Sequence, residues 1–158
     1  MESTLTIMER ALFLMELDYF RSVGSEQIAH IAAEAREDHF DQGDIIYDET
    51  KPARGLYVVL EGNVEMRSQG TPFRRVSRGH GFGFAALLGS EDPTASSATA
   101  LEHTHVLTIS KEDFIDTIRD HPQLAVDMVR GLATQMVYHM REVEELKAKL
   151  REAGIETD

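Results

Sequence analysis

Cysteine is absent from the chain, which excludes disulfides, thiol catalysis, redox switching and thiolate metal sites. Long apolar runs are missing too. None approaches the roughly 20 residues a membrane helix needs, so no membrane partner is expected. The N-terminus lacks the basic start of a secretory signal, and Glu9, Arg10, Glu16 and Asp18 interrupt its apolar positions. A cytoplasmic protein is expected. Positive charge is scarce: 16 Lys+Arg stand against 28 Asp+Glu, a formal net charge of −12. Neutralising nucleic-acid phosphates would work against that field, so no nucleic-acid partner is expected. No internal repeat, low-complexity tract or long linker divides the sequence. With 158 residues, 42% hydrophobic and 28% charged, residues 1–158 read as one soluble domain.

The periodicity changes twice along the chain. Met8, Ala11, Leu12, Met15 and Tyr19 recur at steps of three and four, the stripe of an amphipathic helix. A second helical pattern opens at Ser25 and continues through Ile28, Ile31, Ala32 and Ala35 toward Glu37. The period then becomes two, predicting strands over His39 to Tyr47, Gly55 to Met66, Phe73 to Ser77 and His103 to Ile109. Glycine turns such as Gln42-Gly43-Asp44 and Glu61-Gly62-Asn63 separate them, which favours a small antiparallel barrel or jelly roll over a parallel sheet. From Lys111 the period returns to 3.6. Pro122 interrupts it, so a short helix should precede a long one. The expected class is mainly β with flanking helices: helices over 8–37, barrel over 39–110, C-terminal helices over 111–153.

Gly43-Asp44-Ile45-Ile46, then Gly55-Leu56-Tyr57-Val58-Val59-Leu60-Glu61-Gly62, then Gly81-Phe82-Gly83 follow one another in order, with Asp113-Phe114 and His121-Pro122-Gln123-Leu124 after them. In these motifs the chain resembles a cyclic nucleotide-binding domain of the catabolite-activator-like sensor type, from about Met8 to Tyr138. The resemblance implies a ligand site in a phosphate-binding cassette, which in the family reads Phe-Gly-Glu-Leu-Ala-Leu-Leu and later Pro-Arg-x-Ala-Thr or Ser. Here the cassette supplies Phe82, Gly83, Phe84 and Ala85, then Thr94, Ser96 and Ser97 as candidate ligand-binding residues. Phe84 stands where the family has the glutamate for the ribose hydroxyl, and Thr94 where it has the arginine for the cyclic phosphate. Phe84 is expected to bring its ring into the vacated pocket. Each hydrogen bond to a charged group is worth about 1.5–3 kcal/mol, so two losses weaken affinity roughly a hundredfold to ten-thousandfold. Glu91 and Asp92 add repulsion toward an anion.

Other constellations carry less. His103-x-His105 places two imidazoles on one strand face, but Glu112 is wrongly spaced as a third ligand. The pair therefore reads as solvated or hydrogen-bonded histidines, with no metal site. No nucleophile elbow, Walker lysine loop or carboxylate pair is visible, so no catalytic residues and no enzyme are expected.

In the last helix Val129, Leu132, Met136, His139, Val143, Leu146 and Leu150 advance by alternating threes and fours, a seam repeating every seven residues. With Val143 and Leu150 at a positions, Glu142 at g and Lys147 at e can pair across a parallel dimer. Relatives that regulate transcription continue from this helix into a helix-turn-helix, and no such DNA-binding module follows before Asp158. The expected function is a non-catalytic regulatory domain, homodimeric, without a cofactor, with weak or no cAMP or cGMP binding and an unidentified effector protein. Two alternatives stay open at this stage. One is a genuine cAMP or cGMP sensor that uses backbone amides with Ser96 or Ser97. The other is a structural adaptor.

Overall fold

Thr6 and Glu9 start the first helix with a reciprocal cap. Glu9 N donates to Thr6 Oγ1 at 3.3 Å and Thr6 N donates to Glu9 Oε2 at 2.8 Å. In the computed structural model, which describes residues 5–88 and 96–157, this helix is α1 (Ile7–Met15). A 3₁₀ turn over Asp18–Phe20 and helix α2 (Ser25–Glu34) follow. The expected inward stripe of α1 is corrected: Met8, Leu12 and Met15 face solvent, while Leu14 is fully buried and Ala11 packs beside it. Ile7 to Met15 is apolar nearly all round, so periodicity could not choose the face. Packing against Ile28 and Ile31 of α2 chose it.

The strands are β1 (Arg36–Phe40), β2 (Ile45–Tyr47), β3 (Gly55–Glu61), β4 (Asn63–Ser68), β5 (Thr71–Ser77), β6 (Gly81–Phe82), β7 (Ser96–Ala100) and β8 (Thr104–Ser110). A one-turn helix α3 (Phe84–Leu87) lies between β6 and β7. Helices α4 (Lys111–Asp120) and α5 (Gln123–Glu152) close the chain with Pro122 between them, as the sequence predicts. Helix α2 stops three residues short of Glu37, because Arg36 to Phe40 pair in register with Thr108 to Thr104 of β8. The predicted strand over 39–47 is two strands, and the one over 55–66 divides at Gly62. Strands β6 and β7 were missed: two residues are too few for a pattern, and the Ser-Ser-Ala-Thr-Ala run of β7 is too small and polar to show an alternation.

Two four-stranded antiparallel sheets result, in the orders β1-β8-β3-β6 and β2-β7-β4-β5. They form a jelly roll of mainly β structure with flanking helices. Alternate residues of the first sheet serve two cores. Leu56, Val58, Leu60, Leu107 and Ile109 face the helices, with Phe20, Phe114 and Leu124. Tyr57, Val59, Phe82 and Val106 face the second sheet, meeting Val64, Met66 and Val76. Pro72 lies on β5, an edge strand, where its missing N–H costs least.

The β3–β4 turn depends on glycine. Gly62 has φ 94°, and a Cβ there would stand 2.6 Å from the His103 carbonyl oxygen. Gly62→Ala is expected to lower stability by about 1–3 kcal/mol, read as a shift of the urea midpoint at constant slope.

Candidate functional site

The cassette begins where β6 ends, against the first residues of β3. Gly83 has φ 79°, and a Cβ on it would lie 2.5 Å from the Gly55 carbonyl oxygen and 3.1 Å from the Tyr57 ring. No other residue fits that approach without displacement. The Gly83 carbonyl then accepts from Ala86 N at 3.0 Å, closing the single turn of α3.

Phe82 is 1% exposed and belongs to the inter-sheet core, stacked on Tyr57 at 5.0 Å between ring centres. Ala85 is exposed on the outer side of α3. Phe84 turns toward the helices. Its ring does not join the inter-sheet core; it packs against the helical core and stacks on Tyr19, with centres 4.2 Å apart and planes 17° apart. An apolar ring gains more from a neighbouring aromatic face than from a mouth built for polar ligand atoms. Ser96 and Ser97 are half-buried on β7 in the other sheet, opposite Ser68 and Arg67 of β4. They line a shallow hollow of about 280 Å³ with Asp48 and Glu49. Arg67 lines the same hollow, so the two carboxylates there face one cation. Thr94, with Glu91 and Asp92, lies outside the described residues. The structure therefore gathers Phe82, Gly83 and Phe84 at one corner of the first sheet and sets the two serines on the second.

Sequence reasoning missed Tyr19 and Arg74. Arg74 Nη2 donates to the Gly81 carbonyl at 3.2 Å. The same guanidinium also interacts with the Tyr19 phenol, whose pKa is raised chiefly by burial while Arg74 pulls it down. A Tyr19–Phe84 stack held by Arg74 thus anchors the cassette to the 3₁₀ turn. No sequence signal links residues so far apart. That turn in turn meets α5: a Cβ at Gly131 would lie 3.3 Å from Ser22 Oγ and 3.7 Å from the Tyr19 carbonyl oxygen. In a double-mutant cycle, Tyr19→Ala and Phe84→Ala are expected to show a coupling of about 0.5–1.5 kcal/mol in unfolding free energy.

The histidine pair sits elsewhere. His105 pairs across the sheet with His39, the rings stacking at 4.1 Å, and His103 lies 5.6 Å from His39. Among the described residues, no group of three His, Asp or Glu side chains is placed to hold a metal ion. His105 is 8% exposed, with its Nε2 3.5 Å from Glu37 Oε2. Burial, then His39, lowers its pKa below 6.5, while Glu37 and Glu61 act in the opposite direction. The unfolded chain takes up this proton more readily. Stability is therefore retained above about pH 6.5 and falls as pH drops through that value toward the lowered folded pKa. Urea unfolding between about pH 8 and pH 5 is expected to show this decline, and His105→Gln to flatten it.

The seam residues all lie on α5. Val129 is 66%, Met136 61% and Leu146 58% exposed, His139, Val143 and Leu150 are exposed as well, and Leu132 is half-buried. His139 Nδ1 lies 3.1 Å from Glu142 Oε2 on its own helix. Beyond Leu132 no residue of α5 is buried, so about 30 Å of helix extends from the body without internal packing. None of the described helices is long and apolar enough to cross a membrane.

Comparison with known proteins agrees with this architecture. Residues 37–121 match the model of the cyclic nucleotide-binding domain, more than half of the 158 residues, and the chain belongs to that family. It is similar to the cGMP-dependent protein kinase egl-4 of Caenorhabditis briggsae, 28% identical over 121 residues, which cover 73% of this chain and 16% of the kinase. The chain thus spans a small part of the curated relatives it matches. Two solved structures share the fold. The sensor domain of the transcriptional regulator DNR from Pseudomonas aeruginosa superposes with a TM-score of 0.66 at 16% identity, over 86% of this chain and 94% of that one. The cAMP-bound PfPKA-R (141-441) superposes at 0.61 and 19% identity, over 96% of this chain and 50% of that one.

Proposed function

We propose that this chain is a non-catalytic regulatory module that forms a homodimer through α5 and binds cAMP and cGMP weakly. The position of Phe84 carries the binding part of the reading. The residue that stands where the family has its ribose-binding glutamate has no acceptor, and its ring is committed to Tyr19. Thr94 at the arginine position removes the cation for the phosphate. Family membership favours the other reading, a genuine cyclic-nucleotide sensor, and one titration separates the two. Calorimetry with cAMP and with cGMP is expected to give dissociation constants weaker than about 100 μM. A value near or below about 1 μM, roughly −8 kcal/mol, refutes weak binding.

The exposed apolar seam supports the dimer. In proteins most helical stability comes from packing an apolar face, and beyond Leu132 no residue of α5 is buried. A second copy in parallel register would cover Val129, Met136, Val143 and Leu150 with their equivalents and set Glu142 near Lys147. Light scattering is expected to give twice the chain mass at tens of micromolar, and Val143→Asp to give the single-chain mass, because it places a charge in the seam. A monomeric parent refutes the seam. Signals would leave the module through the paired helices toward an effector protein.

A further inference from the structure

A second concavity lies on the side of the jelly roll away from β5 and β6, between the edge strands β1 and β2 and the first turn of α4, with a volume of about 600 Å³. This is within the size range of small-molecule sites. Arg36, Lys51, Arg54 and Lys111 line it, a quarter of the 16 Lys+Arg in a chain of net charge −12. In so acidic a protein these cations would be expected to find carboxylates. Among the described residues none of the four makes an ion pair, although three carboxylates, Asp38, Glu112 and Asp113, line the same cavity. Asp38 instead accepts from Thr108 Oγ1 at 2.7 Å.

The strand register orders the lining. Arg36 pairs with Thr108, and Gly55 pairs with Ser110. Lys111 N donates to the Arg54 carbonyl at 3.0 Å. Arg36, Arg54 and Lys111 therefore share one end. Asp38, opposite Val106, lies further along β1, and Phe40 and Ile46 form the apolar far end. Between them stands Tyr57, 3% exposed, whose hydroxyl oxygen accepts from Arg54 N at 3.1 Å. The proton of that hydroxyl has no acceptor among the described residues. Burial raises the Tyr57 pKa, so the phenol remains a donor.

We propose that this cavity binds a small organic phosphate of nucleotide size. Its phosphate meets Arg36, Arg54 and Lys111, its hydroxyls meet Asp38 and the Tyr57 phenol, and its flat apolar part lies against Phe40 and Ile46. Four cations against three carboxylates leave the lining net positive, and guanidinium groups match phosphate oxygens in pairs. The site is separate from the cassette but not isolated from it. The Tyr57 ring, whose hydroxyl faces the cavity, also stacks on Phe82 and touches the position of Gly83. Occupancy on one side of that ring is therefore felt on the other.

The test is an amide NMR titration of the full chain with 5′-AMP, repeated with inorganic phosphate. Saturable shifts are expected at Arg54, Tyr57, Thr108 and Lys111, with a smaller response at Gly83. The double variant Arg54→Ala, Lys111→Ala should bind 5′-AMP at least about tenfold more weakly, and Tyr57→Phe measurably more weakly, each hydrogen bond to a charged group being worth that order of affinity. All three are surface or hydroxyl deletions that leave the cores intact. Arg141→Ala, which removes one positive charge from α5, should leave binding unchanged. No saturable shift up to about 5 mM overturns the proposal. So does a response confined to Ala85, Ser96 and Ser97, which would place the nucleotide in the cassette. Equal affinity for 5′-AMP and inorganic phosphate overturns the organic ligand class.

Discussion

Strand β3 is buried on both faces, and the rest of the molecule is arranged around that constraint. Gly55 to Leu60 are all buried. Leu56, Val58 and Leu60 hold the helices, while Tyr57 and Val59 hold the second sheet. A one-residue slip would exchange the two sets, sending a tyrosine into the helical core and leucines between the sheets. Both ends of the strand are fixed by close backbone approaches. A Cβ at Gly55 would stand 1.9 Å from the Ile109 carbonyl oxygen, and Gly62 makes the turn into β4. Because Gly83 rests on Gly55 and Tyr57, the cassette takes its position from the same strand.

From there the contacts run outward in one continuous series. Gly83 leads to Phe84, Phe84 to Tyr19, and Tyr19 to the segment against which Gly131 of α5 packs. The family places a polar side chain at the cassette position that here carries an aromatic ring. In this chain that position makes a structural contact, the stack on Tyr19. It joins the cassette to the N-terminal turn and, through it, to the long helix. Coupling of this kind needs no direct contact between cassette and α5, only a shared neighbour whose packing both depend on.

Charge is distributed unevenly over this framework. The hollow beside Ser96 and Ser97 sets Asp48 and Glu49 against Arg67, whereas the cavity between β1 and β2 sets four cations against Asp38, Glu112 and Asp113. The first lining is net negative and the second net positive, although both open on the same jelly roll. The aromatic group of Tyr47, Tyr57 and Phe82 packs between the sheets, and Tyr57 also lines the cavity between β1 and β2.

Much of this was legible in the sequence because it depends on local rules. Period-two runs, glycine turns and the Pro122 break announced a jelly roll between helices, and the alternating three-and-four spacing of mostly apolar residues in the last helix is plain in the sequence. Phe84 and Thr94 depart from the cassette pattern in the sequence alone. What the sequence left open depends on contacts between distant residues. The buried face of α1 was ambiguous because that segment is apolar on most sides, with only Glu9 and Arg10 polar, and α2 decided it. The end of α2 came earlier than its own pattern suggested because β8 claimed Arg36. Whether the Phe84 ring would enter the pocket or turn to Tyr19 had no local signal, and neither did the meeting of Arg36, Arg54 and Lys111. Periodicity records which face of an element is apolar; which partner that face meets is settled only when the sheets close.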